Sequence, residues 1–252
     1  MLSYWESVSF INYDLIIVGS GIVGLSTAVK YKKKHPNATI AILERGVFPS
    51  GASTKNAGFA CFGSISELED DLQECTEDEI VALTEKRYRG ISELRKLLGD
   101  DAIQFEPVGG FELGFDRSAC DRIPYYNRLL ENVFPSAPFS EATEDLNNYP
   151  FSNKVTHLIK HQFEGTIHTG KMMRSLIDRA LELGIRIYTG CEVKQLEFDT
   201  NRVRIGTVTN QQTAEFRSSQ IALCTNAFTS SLLPDLDLEP GRGQVLITEP
   251  IP

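Results

Sequence analysis

The chain has 252 residues, enough for one large domain or two small ones. Hydrophobic residues at 41% and charged residues at 23% are ordinary for a globular protein, which excludes a disordered tail, a collagen-like rod and a disulfide-stapled mini-protein. With 25 basic against 34 acidic residues the net charge is −9, so the surface as a whole repels phosphate backbones and disfavours nucleic acid or an anionic membrane as a general partner.

The first dozen residues carry Glu6, no Lys or Arg, and no apolar stretch of signal-peptide length. Apolar runs reach only four residues, as at 15–18 and 40–43, too few for a membrane-spanning helix. Residues 13–18 read as a short strand buried on both faces. After the glycines at 19–24, Ile22, Leu25, Ala28 and Val29 recur at helical spacing. That helix is expected to stop at Lys32-Lys33-Lys34-His35-Pro36, where cations suit the negative pole and proline prevents continuation. Residues 39–43 form a second strand, giving a β-α-β unit with parallel strands.

Between Ser66 and Glu79 there are eight acidic residues and no basic one, read as the solvated entry to a helix. Thr76 and Glu79 have capping-box spacing, with Ile80, Leu83, Ile91, Leu94 and Leu98 on one face and Gly99 as the stop. Residues 101–160 change character: short apolar pieces at 110–115 and 155–159 are separated by turn-rich stretches at 134–139 and 147–153. A helix over 171–183 comes next, with Met173, Leu176, Ile177 and Ala180 inward and Gly184 as its end. Strands are then expected at 185–188, 193–198, 203–208 and 221–224, the last one buried, with Asp199-Thr200-Asn201 as a turn. The five cysteines (Cys61, Cys75, Cys120, Cys191, Cys224) are odd in number and dispersed without a C-x-x-C pair. They read as reduced, mostly buried thiols and point to a cytoplasmic protein.

The chemistry concentrates in Gly19-Ser20-Gly21-Ile22-Val23-Gly24, a G-x-G-x-x-G that succeeds a strand and opens a helix. The first glycine permits the tight turn, the second lets a pyrophosphate reach the backbone, and the third lets helix and strand pack closely. The helix N-terminus offers free N–H groups to the phosphates. Glu44 closes the second strand, where a carboxylate accepts hydrogen bonds from a ribose and repels a 2′-phosphate. His157 and His161 lie four apart but in a segment that reads as a strand, without a third ligand, so no metal site is expected. No serine-histidine-acid or cysteine-histidine set stands out.

These glycines and Glu44 fit FAD and nicotinamide cofactors alike. The segment Gly51-Ala52-Ser53-Thr54-Lys55-Asn56-Ala57-Gly58-Phe59 resembles the flavin-contacting segment of the D-amino acid oxidase (DAO) family of FAD-dependent oxidoreductases. Further resemblance lies in Glu164-Gly165-Thr166-Ile167-His168, Gly184-Ile185 and Cys191-Glu192-Val193. It continues through Ala222-Leu223-Cys224-Thr225-Asn226-Ala227 and Gly241-Arg242-Gly243-Gln244-Val245. The resemblance implies an α/β fold: a Rossmann-type FAD-binding domain (1–100 and 161–233) with an inserted, incomplete mixed α+β substrate domain (101–160 and 234–252). Carried over by position, Gly19, Gly21 and Gly24 serve the pyrophosphate and Glu44 the ribose, with Ser20, Ile22 and Val23 of the same motif among the cofactor-binding residues. Arg45 lies near the adenine, and Val193 meets it through the backbone. Ala52, Ser53, Ala57, Gly58 and Phe59 line the flavin side, where small residues admit flat rings.

The activity implied is oxidation of a C–N bond in an amine or amino acid, with hydride passing to flavin N5. The alternative is an FAD- or nucleotide-binding subunit, or a pseudo-enzyme, completed by a partner chain. A nicotinamide-dependent dehydrogenase accounts for the glycines and Glu44 but not for 52–59. Two departures stand out. Thr169 occupies a place usually held by proline, and the chain matches the N-terminal portion of such enzymes, without the remainder that supplies much of the substrate contact. No catalytic residue is assigned, and residues 52–59 hold no Cys or His for covalent flavin attachment.

Overall fold

The computed structural model describes residues 3–209, 212–241 and 243–246. Arg242, in the last of the family-like segments, and residues 247–252 lie outside the described residues. The chain forms two compact units, 1–57 with 169–252 (unit 1) and 58–168 (unit 2).

Unit 1 begins with α1 (Tyr4–Ser9), which carries a complete capping box between Ser3 and Glu6. It continues through β1 (Asn12–Val18), α2 (Ile22–Lys34) and β2 (Ile40–Leu43). Leu15 to Val18 and all of β2 are buried, as an apolar parallel pair requires. α2 ends where Lys32, Lys33 and Lys34 occupy its last turn, and the His35 N–H closes onto Tyr31 O at 2.8 Å.

Unit 2 contains β3 (Phe59–Ala60), α3 (Ile65–Asp71), α4 (Glu77–Leu98), α5 (Asp100–Ile103) and β4 (Gly110–Gly114). It then runs through α6 (Ser118–Leu129), β5 (Phe139–Glu141), β6 (His157–His161) and β7 (Gly165–Thr166). The acidic run is more than a helix entry: its first half is α3, a capped helix of its own with Ile65 and Leu68 buried. Thr76 and Glu79 make the expected capping box on α4, Thr76 Oγ1 accepting from Glu79 N at 3.3 Å and Glu79 accepting from Thr76 N at 2.9 Å. Leu83, expected inward, is exposed; Thr84 takes the buried place beside Ile80. α6 was not legible in the sequence because Pro124 inside it breaks the helical signal. Strands β4, β6 and β5 form an antiparallel sheet in that order. Its core joins Phe62, Ile65, Leu68, Ile80, Tyr126 and Phe134, among others.

Gly90 sits in the exposed middle of α4, where an added Cβ meets nothing within 4 Å. Gly90→Ala therefore stabilises the protein by about 0.8–1 kcal/mol through helix propensity alone, measured by urea unfolding.

The chain returns to unit 1 with α7 (Thr169–Glu182), β8 (Arg186–Tyr188), β9 (Glu192–Phe198), β10 (Val203–Thr209) and β11 (Gln212–Leu223). Thr169 is the first residue of α7, a position at which proline is equally at home, so that departure from the family pattern leaves the helix intact. The sheet order is β8-β2-β1-β11-β10-β9, parallel from β8 to β11 and antiparallel beyond it. Only the end of β11 was expected from the sequence, and as a buried strand. Polar residues at five of the six positions from Glu215 to Gln220 mask its period-two pattern, and Ile221 to Leu223 are half-buried.

Of the cysteines, all free thiols, only Cys120 and Cys191 are buried, and Cys61 and Cys75 are exposed. Among the described residues no helix is long and apolar enough to cross a membrane.

His161 and Glu164 give unit 2 an unusual pH response. Burial pushes the His161 imidazole from 6.5 down to about 4. Burial first, then nearby carboxylates, pushes the Glu164 carboxyl from 4.5 up to about 7. Between about 4 and 6.5 the unfolded chain holds a His161 proton that the folded chain lacks, so this group makes stability rise with pH. Between about 4.5 and 7 the folded chain holds the extra Glu164 proton, so that group makes stability fall as pH rises. The two slopes oppose in the overlap. Relative to the parent, His161→Phe should lose stability as pH rises through that window, and Glu164→Gln should gain it, read from urea unfolding at several pH values.

Candidate functional site: a dinucleotide groove in unit 1

β1 ends at Val18, and the chain turns at Gly19 with φ +100°, where a Cβ would sit 2.6 Å from the Cys224 carbonyl oxygen. Gly21 is the N-cap of α2, with no side-chain cap of its own. A Cβ on Gly24 would collide with the carbonyl oxygen of Gly19, so the first turn of α2 lies directly on the loop. These contacts leave the leading N–H groups of α2 facing the carboxyl ends of β1, β2 and β11, the place where open parallel sheets bind dinucleotides.

Glu44 is 8% exposed, and its carboxylate accepts three hydrogen bonds. Its Oε2 accepts from Ser20 N at 2.9 Å and Ser20 Oγ at 2.7 Å, and its Oε1 accepts from Gly46 N at 2.8 Å. Oε1 thus keeps a lone pair for a ribose hydroxyl. The Glu44 backbone is held on both sides, its N–H by Tyr188 O and its C=O by Cys191 N, each at 2.8 Å. That pairing brings Cys191, Glu192 and Val193 to the same groove from far along the chain.

The groove encloses about 410 Å³. It gathers Gly19, Gly21, Glu44, Arg45, Ala52, Ser53 and Val193 of the residues expected from the sequence. Ser20, Ile22, Val23 and Gly24 do not line it; they lie in the turn and the first turn of α2. Ala57 is exposed and ends unit 1, while Gly58 and Phe59 belong to unit 2. Lys55 is exposed outside the groove.

The sequence reading missed Phe228, whose ring lies 3.6 Å beneath the Arg45 guanidinium and fixes its plane. It also missed the left-handed backbone of Asn226, φ +47°, which turns the chain back along the groove. No local motif announces either one. His157 and His161 both lie on β6, where residues four apart are about 13 Å from each other and cannot share an ion.

The FAD-dependent oxidoreductase (DAO) family model matches residues 14–252. The chain belongs to the DAO family of FAD-dependent oxidoreductases. Among curated proteins, it is 24% identical over 243 residues to the bifunctional protein ThiO/ThiG of Trichormus variabilis, covering 92% of this chain and 34% of that protein. It is 21% identical over 264 residues to human mitochondrial L-2-hydroxyglutarate dehydrogenase, covering 97% and 54% respectively. Among solved structures, glycine oxidase from Geobacillus kaustophilus superposes with a TM-score of 0.67 at 21% identity, over 88% of this chain and 57% of that one. L-Amino acid deaminase from Proteus myxofaciens gives 0.67 at 17% identity, over 91% and 49%. The fold is therefore the Rossmann-type α/β fold of these flavoproteins, and the chain spans between a third and just over half the length of these curated relatives.

The residues present fit the family's cofactor at three points: the glycine cradle that any Cβ would fill, the free lone pair on Glu44, and the start of α2, whose N-cap Gly21 has no side chain to cover it. Ser53 adds a fourth. Its Oγ accepts from Ile22 N at 2.9 Å, so it caps α2 from another segment instead of its own turn. Its hydroxyl proton remains free to donate to a phosphate oxygen. Ser53→Ala removes both, and should weaken FAD binding about tenfold while costing about 1 kcal/mol of stability. Titration of the apoprotein with FAD, alongside thermal melting, checks both effects. Burial pushes the Cys191 and Cys224 thiols beside the groove upward, so they line it as neutral groups.

Proposed function

We propose that this protein is the cofactor-bearing part of a flavoenzyme that oxidises a C–N bond in an amine or amino acid, with unit 1 carrying FAD and unit 2 forming part of the substrate domain. The observation that carries this reading is the groove, where the glycine turn, the start of α2 and Glu44 converge on one side of a parallel sheet. The leading backbone N–H groups of α2 past Ile22 and the Ser53 hydroxyl would hold the pyrophosphate. Glu44 would take the ribose, with Arg45 and the Val193 backbone at the adenine. Ala52, Ala57, Gly58 and Phe59 would lie toward the flavin. Bound FAD supplies the electron-pair acceptor for the oxidation.

The chain's own part is to bind, orient and shield the reactants, and no catalytic acid or base is assigned to it. The names of the structural relatives, glycine oxidase and amino acid deaminase, support the C–N class. A second reading, oxidation of a 2-hydroxy acid, draws on L-2-hydroxyglutarate dehydrogenase of Indibacter alkaliphilus, 30% identical over 120 residues and 48% of this chain. In either case a remainder or partner chain would complete the substrate domain. Apolar side chains exposed late in unit 1, such as Leu236, Val245 and Leu246, offer a surface for it.

The test is the visible spectrum of the purified protein, with acid release of any chromophore. A flavin spectrum and released FAD are expected, and a colourless protein that takes up no added FAD overturns the reading. Turnover of amines and amino acids against 2-hydroxy acids, with a dye as acceptor and with the completing polypeptide present, separates the two substrate classes.

A further inference from the structure

We propose that Phe228 is the positioning residue of the base subsite: it holds the Arg45 guanidinium flat, so that the adenine of the cofactor stacks on the guanidinium's open face. The inference rests on the FAD reading above and adds to it the residue that selects the base.

Among the described residues that line the groove, Arg45 is the only basic side chain and Phe228 the only aromatic ring, and the two lie on each other. The guanidinium carbon stands 3.6 Å from the ring centroid. An edge-on guanidinium would bring its nitrogens to that van der Waals distance and leave its carbon farther out, so the two planes are stacked face to face. Phe228 therefore covers one face of the guanidinium, while Arg45 as a residue is exposed and lines the groove. The other face is a flat cationic surface on which an aromatic base can lie.

Both partners are carried on pinned backbone. Gly46, next to Arg45, donates to Glu44 Oε1 at 2.8 Å, and its carbonyl accepts from Gly190 N at 2.9 Å. Phe228 sits in a 3₁₀ turn over Asn226–Ser231, which begins at the left-handed Asn226. Its N–H donates to Thr225 O at 3.0 Å, and the hydroxyls of Thr225 and Thr229 lie 2.8 Å apart across the turn. What the backbone leaves undetermined is the arginine side chain, with its many rotamers. Two carboxylates of the groove do not compete for it: Glu44 is committed to Ser20 and Gly46, and Glu192 pairs with Lys194 at 2.8 Å. The ring orders the guanidinium before the base arrives, which lowers the entropic cost of binding.

Stacking selects by shared surface. A purine covers more of a guanidinium plane than a pyrimidine does, so a preorganised Arg45 favours adenine over cytosine. Without the ring the guanidinium is free to turn its edge to the groove, and that preference falls.

The test is calorimetric titration of the full chain, freed of bound nucleotide, with three probes: FAD, ADP and the flavin dinucleotide carrying cytosine in place of adenine. Phe228→Leu should weaken FAD and ADP about five- to tenfold, the worth of one cation–π contact. It should leave the cytosine dinucleotide nearly unchanged, and Phe228→Tyr should bind all three as the parent does. Arg45→Met should lose at least as much FAD affinity, and adding Phe228→Leu to it should cost nothing further, since the ring acts through Arg45. Equal loss for FAD and the cytosine dinucleotide makes Phe228 merely structural and overturns the proposal. Tighter binding by Phe228→Leu would mean that the ring blocks the base site, and overturns it too. FAD uptake that Phe228→Leu leaves unaffected removes this proposal and keeps the cofactor, whereas Phe228-dependent uptake of ADP by a chain that refuses FAD does the reverse. A chain that binds none of the three ends both. If Phe228→Leu fails to fold, the same comparison of probes in Arg45→Met decides.

Discussion

Gly24→Ala should abolish FAD retention and lower the melting temperature, the largest effect expected of any single methyl group in this chain. The new Cβ meets the Gly19 carbonyl oxygen, and both partners are backbone, so no side chain can swing aside. Relief requires α2 to move off β1 or the turn to open. Overpacking of this kind costs about 1–3 kcal/mol, and occasionally more. In a protein of this size each kcal/mol lowers the melting temperature by about 2–4 °C. The same movement takes the leading N–H groups of α2 away from the groove, so the affinity loss exceeds the stability loss. Gly51→Ala is the matching control. It also lies on the groove, with φ −83° and nothing within 4 Å of an added Cβ, and should leave the melting temperature unchanged. Retention of FAD by Gly24→Ala at parental affinity would remove the glycine turn from the site.

Glu44→Ala is the second. The carboxylate serves two masters: it accepts from Ser20 N, Ser20 Oγ and Gly46 N, and it is the proposed ribose acceptor. Removing it leaves buried donors without a partner, at about 1–3 kcal/mol for each that water cannot reach. A lost hydrogen bond to a charged acceptor is worth about 1.5–3 kcal/mol, so FAD affinity should also fall by about ten- to a hundredfold. Ser20→Ala separates the roles. It removes one of the internal bonds and leaves the carboxylate, so it should cost stability with a much smaller loss of affinity. Calorimetric FAD titration and thermal melting of the three proteins give the comparison. If Glu44→Ala is less stable yet binds FAD as tightly as the parent, Glu44 is a structural clamp and the ribose assignment is wrong.

The amino-acid sequence by itself determined the start of unit 1. β1, the glycine turn, α2, β2 and Glu44 lie within thirty-odd consecutive residues, and each is specified by local chemistry: buried apolar strands, glycines where a Cβ has no room, lysines before a proline. Capping at Thr76 and the stops at Gly99 and Gly184 were legible for the same reason. The order of several segments resembling one family carried the cofactor class, which no single segment specifies.

Only the tertiary structure decided how remote segments share the groove. Cys191 to Val193 arrive because Cys191 N bonds to Glu44 O, and Thr225 to Phe228 because β11 runs parallel to β1. Neither pairing leaves a trace in local composition. Ser53 reads as a turn residue and proves to cap a helix thirty residues earlier in the chain. The burial of His161 among Phe62, Phe134 and Phe139 was equally hidden, since these residues lie far apart along the chain. A lone histidine in an apolar strand says nothing of its partners. Local propensity is written in neighbouring residues, whereas burial, the collisions of a missing Cβ and the pairing of donors with acceptors exist only once distant backbone segments have met.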